Sequence, residues 1–151
     1  MSKAVFFSQF GVVVAGVAIV FSAMAEEKLT DKGPESIGAI TNAKVFFVSP
    51  KDGETVKQDF VAKFAVEGLK VEKAGAIVPG TGHFHVLIDT PPLTEGQAIP
   101  MDEKHLHFGK GQTEAPLKLK PGTHTLVLQF ADGAHRAYNK MLIQEIKVIV
   151  K

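Results

Sequence analysis

Beyond residue 43, apolar residues recur at every second position, and no segment sustains the three-and-four spacing of an amphipathic helix. Residues 59–68 show this most clearly. Phe60, Ala62, Phe64 and Val66 fall on one face, while Lys63 and Glu67 fall on the other. A strand patterned this way has one apolar face, which a second layer must cover. Similar segments occur at 44–48, 83–89, 105–108, 123–130 and 141–150, with a shorter irregular one within 71–80. Turn clusters separate them: Ser49-Pro50-Lys51-Asp52-Gly53, Pro79-Gly80, Pro91-Pro92, Pro121-Gly122 and Asp132-Gly133. The composition of 131–137 also suits a short helical loop. About seven short strands with such turns predict a single all-β domain, an antiparallel immunoglobulin-like β-sandwich over 44–151. The Cys and Trp of true antibody domains are missing, so the prediction concerns architecture alone.

The first 25 residues follow different rules. Lys3 provides a positive start, 5–21 is an apolar run, and Ala23-Met24-Ala25 has the small-x-small form of a signal-peptidase site. Residues 1–25 therefore read as a cleaved signal peptide, with 26–43 as a polar, flexible lead-in. An uncleaved anchor is the alternative, because the run approaches the ~18 residues of a spanning helix. Export to a bacterial periplasm is the expected localisation, with no membrane association of the mature form. The chain has no cysteine, which excludes disulfides, thiolate nucleophiles and thiolate ligands. With Lys3 set aside, 16 of the 17 basic residues remain and balance the 16 acidic ones, and Arg136 is the only arginine. Without a basic patch, nucleic acid is not an expected partner.

Four of the six histidines fall between Gly82 and Gly111, as two His-x-His pairs, His83/His85 and His105/His107. Alternation puts both rings of a pair on one face of a strand, ~7 Å apart along it, within reach of a common ion. If the two segments are neighbours, four imidazoles meet. Neutral imidazole suits copper, zinc, nickel and iron, and the affinity order places Cu(II) first and zinc second. Asp89, Asp102 and Glu103 are placed to ligate or to orient a ring, and Met101 and Met141 are candidate soft ligands. His124 shares its face with Leu126, Leu128 and Phe130, which fits a hydrogen-bonded core histidine as well as an additional ligand. His135 follows Asp132-Gly133 and is either a solvated loop residue or a mobile ligand.

Little points to catalysis. There is no Gly-x-Ser-x-Gly elbow, no His-Glu-x-x-His, and beyond residue 25 the serines are Ser36 and Ser49, neither close to a histidine in sequence. A metalloenzyme would need an open coordination position and a pocket, and the sequence specifies neither.

The segments GHFHVLID and HLHFGKGQTEAPLKLKPGTHTLVLQFADGAH, with the closing strand, resemble a bacterial family of exported proteins, domain-of-unknown-function family 4399. The resemblance spans roughly 45–150. It groups His83, His85, His105, His107, His124 and His135 as one set of motif positions. Phe84 stands where members often carry a third consecutive histidine, at a position that alternation turns away from the other two. The resemblance implies an exported β-domain with a shared histidine site and identifies no metal. The expected function is transition-metal handling without turnover, with a metal ion and another envelope protein as the expected partners. The alternative is an immunoglobulin-like module that binds an envelope protein or glycan, its histidines being structural.

Overall fold

The computed structural model describes residues 42–151. The expected signal peptide and all but the end of the lead-in lie outside the described residues. Nine strands are present there: β1 (Lys44–Ser49), β2 (Thr55–Val56), β3 (Asp59–Glu67), β4 (Lys70–Val71), β5 (Thr81–Ile88), β6 (His105–Phe108), β7 (Glu114–Lys118), β8 (Gly122–Ala131) and β9 (Ile143–Val150). They form an all-β sandwich. One sheet has the order β1-β3-β7; the other runs β2-β9-β8-β5-β4, with β6 also paired to β5. The long pairings are antiparallel, and two-residue parallel pairings attach β2 to β9 and β4 to β5.

The core between the sheets is the product of alternation. Phe47, Phe64, Leu117, Phe84, Val86, Leu126, Leu128, Phe130 and Val148 are all buried in one cluster. Phe64 lies 4.7 Å from Phe84 and 5.3 Å from Phe108, centroid to centroid and tilted, as aromatic quadrupoles prefer. The periodic pattern does not predict β7, because Pro116 interrupts it. Proline lacks the N–H a central strand must donate, and β7 accommodates it as an edge strand.

The face of the larger sheet that points away from this core is also covered. Leu87, Val127 and Ala131 on that face are fully buried. Residues 89–104 lie over it: Leu93 packs against Ile99, Ala131 and Ala137. Gln129, itself fully buried, brackets Leu93 by accepting from its N–H at 3.0 Å and donating to its carbonyl at 2.7 Å. Simple alternation predicts a half-buried strand at β5, whereas seven of its eight residues are buried. His83 and His85 lie on this covered face and are themselves fully buried. Among the described residues, no helix is long and apolar enough to cross a membrane.

Candidate metal centre

The register of β5 and β6 sets His85 opposite His107 and Leu87 opposite His105. On the other side of β5, His83 faces Ala131, the last residue of β8. The chain then turns sharply through 132–137 and brings His135 back over the same face. Four imidazoles converge there. His85 Nε2 lies 3.1 Å from His83 Nε2, and His135 Nε2 lies 3.1 Å from His107 Nε2. His83, His107 and His135 each offer a ring nitrogen within 4.8 Å of the others, a grouping that can hold a metal ion. His85 adjoins this triad, with its ring centroid 4.9 Å from His83, 5.1 Å from His107 and 6.0 Å from His135.

Local chemistry shapes the turn that delivers His135. Asp132 is almost fully buried; its Oδ1 accepts from the N–H groups of Ala134 and Arg136, and its Oδ2 from Arg136 Nε at 2.9 Å. A carboxylate that gathers successive backbone donors closes a tight turn and competes with helix, so 131–137 is not helical. His135 takes the left-handed conformation, φ 65°, which histidine tolerates better than most residues. Its carbonyl accepts from Ile99 N–H, tying the turn to the covering loop. Tyr138 closes the segment: its hydroxyl donates to Thr81 O at 2.6 Å, and burial pushes its pKa up to about 12.

Three glycines are wedged around the cluster. A Cβ on Gly109 would fall inside 3.0 Å of His107 Nε2 and Cε1, so the imidazole lies directly over that backbone. Gly133 meets the Ala76 carbonyl equally closely, and Gly82 meets the Ala131 carbonyl. These contacts explain the glycines of His-Phe-Gly, Asp-Gly-x-His and Gly-His in steric terms.

Burial keeps His83 and His85 uncharged. His83 and His85 are fully buried. Desolvation, reinforced by His107 and His135, lowers the His83 pKa to about 4, with Asp132 opposing. Desolvation and the neighbouring imidazoles lower that of His85 to about 2. His107 is shifted down by desolvation and by His135. Neutral rings present lone pairs at ordinary pH, which a metal requires. Among the described residues, the Nδ1 atoms of His83 and His85 have no hydrogen-bond partner. A ligating histidine usually donates its second N–H to a carboxylate or carbonyl, and such support contributes ~10–100-fold in affinity. These two rings can ligate through Nε2, but without that support.

The remaining candidates stand elsewhere. His105 Nδ1 is paired with Asp102 at 2.8 Å. His124 uses both ring nitrogens, with Nδ1 on Asp89 at 2.7 Å and Nε2 on the Lys120 carbonyl at 2.9 Å, so neither is available to an ion. The Asp89 bond chiefly raises the His124 pKa. Asp89 is pulled up by burial, but its bonds from His124 and Thr125 outweigh this and leave it lowered. Met101 and Met141 are exposed. Asp132, Gln129 and Tyr138, which hold the site together, carry no sequence signal of their own beyond the Asp-Gly-x-His motif.

Fold and site together define a class: a small all-β sandwich with a covered histidine cluster on the outer face of its larger sheet. Within that class, the chain belongs to the family described as Domain of unknown function (DUF4399), whose model matches residues 62–151. All four clustered histidines fall inside the matched segment. No curated protein and no solved structure matches the chain significantly.

Proposed function

We propose that this is an exported metal-handling protein of the bacterial envelope, binding one transition-metal ion through His83, His85, His107 and His135. Copper and zinc are the ions imidazole chemistry favours. The observation that supports this reading is convergence. Three segments bring four rings together, and the two most buried rings are neutral, with orphaned outer nitrogens. Storage, delivery or sensing in the periplasm fits an ion held among neutral side chains with thin outer support.

The test is calorimetric titration of metal-stripped protein beginning at Glu26, paired with thermal melting. One equivalent bound below micromolar concentration is expected. An ion that binds only the folded state at a hundredfold excess over its Kd stabilises it by ~2.7 kcal/mol. Weak binding of several equivalents without a melting shift would leave the histidines structural. The interaction-module reading would then gain, supported by the groove between Pro92–Glu95 and Asn139–Met141, where Met141 is exposed.

A further inference from the structure

The six separations among the four ring centroids are 4.9, 5.0, 5.0, 5.1, 6.0 and 4.7 Å. Four points with nearly equal mutual distances form a tetrahedron. In a square, the two diagonals exceed the sides by a factor of ~1.4, so a planar four-imidazole centre has four separations of ~4.5 Å and two above ~6 Å. Here five of the six lie between 4.7 and 5.1 Å, and only the His85–His135 edge is stretched. An ion bonded at ~2.0–2.1 Å to four tetrahedral imidazole nitrogens sets ring centroids ~5 Å apart and nitrogens ~3.3 Å apart. The two Nε2 pairs at 3.1 Å are within a few tenths of that spacing; the nitrogens of His83, His107 and His135 already lie within 4.8 Å of one another, and an ion among them would draw in His85 through its contact with His83 to complete the tetrahedron.

From this arrangement we infer that the cage imposes tetrahedral coordination and so carries a d10 ion, Zn(II) or Cu(I), rather than holding copper as Cu(II). The inference rests on the metal-binding reading above and specifies its ion. A d10 ion has no geometric preference of its own and accepts a tetrahedral donor set, whereas Cu(II) favours a tetragonal one. The protein limits how far the rings can flatten. His83 and His85 are fixed on one strand two residues apart and are fully buried. His107 is pressed onto Gly109, and His135 is held by the Asp132 turn. Reaching a plane would require His135 or His107 to swing across β5 against those contacts.

The experiment uses metal-stripped protein from Glu26 onward, loaded in turn with Co(II), Zn(II), Cu(II) and Cu(I). Co(II) serves as the geometric reporter because its visible bands are intense in tetrahedral fields and faint in octahedral ones. Intense bands that one equivalent of Zn(II) abolishes are expected. The copper protein should show a Cu(II)/Cu(I) potential above that of the aqueous couple, because the cage favours the reduced ion. Faint Co(II) bands, or an axial tetragonal Cu(II) resonance with a lowered potential, would overturn the inference while leaving metal binding intact. If none of the four ions binds at one equivalent, the metal-binding reading itself fails, and the inference fails with it.

Discussion

Gly109→Ala tests the cluster with a single methyl group. Gly109 does not occupy the left-handed region, so its backbone accepts alanine without strain, and the whole effect falls on what the Cβ meets. It meets His107 Nε2 and Cε1 inside 3.0 Å, where ordinary contact begins at 3.4 Å. The imidazole must withdraw by on the order of 1 Å, several times the ~0.2 Å tolerance of a metal–ligand distance. Tetrahedral sites of four side chains bind zinc with ~10–16 kcal/mol, so one ligand's share is ~3–4 kcal/mol. The variant should therefore bind its ion ~10²–10³-fold more weakly. Competition against a chromophoric chelator reads this directly, with Gly53→Ala as control. Gly53 has open space around it but a φ of +76°, so alanine there costs folding stability without touching a histidine. Wild-type affinity in a folded Gly109→Ala protein would remove His107 from the ligand set.

Three further outcomes follow from the same contacts. The metal-free protein should lose stability as pH falls from 7.5 to 5. His83 and His85 remain neutral when folded, while their unfolded counterparts take up protons below 6.5. The unfolded state then binds more protons, and each residue costs ~2 kcal/mol across that window, measurable by urea unfolding. A flat profile there would refute the neutral-cluster description. The His124–Asp89 pair acts with the opposite sign at its upper limit. Its histidine contribution is complete below pH 6.5 and declines as pH rises through the elevated folded value, while Asp89's is complete above 3.8 and declines as pH falls through its lowered one. His124→Gln should lower stability by roughly 1 kcal/mol and leave metal affinity unchanged in the chelator assay. Asp132→Ala removes the acceptor of three hydrogen bonds and strands Arg136. It should cost ~3 kcal/mol on urea unfolding and weaken metal binding through loss of His135; unaltered affinity would exclude His135 as a ligand.

Alternation alone reveals much of this protein. It identifies β3, β5, β6, β8 and β9, shows that their apolar faces need a second sheet, and places His83 with His85 and His105 with His107 on common faces. Those are local consequences of a two-residue period, and they do not depend on the neighbouring strands. Which histidines actually meet is a matter of register and turn geometry. The β5–β6 register pairs His107 with His85 and leaves His105 beside Leu87, turned to Asp102. His124 has the same motif status as His135, yet it is taken up by Asp89 and Lys120 at the end of β8. His135, 28 residues from His107, enters the cluster only because Asp132 closes a turn with a left-handed residue at its apex. The outer face of the larger sheet is covered where 89–104 fold across it, an arrangement set by Gln129 and Leu93, 36 residues apart. A strand's period determines which way a side chain faces. Only long-range packing determines what it finds there, because those contacts join segments whose separation in sequence carries no periodic trace.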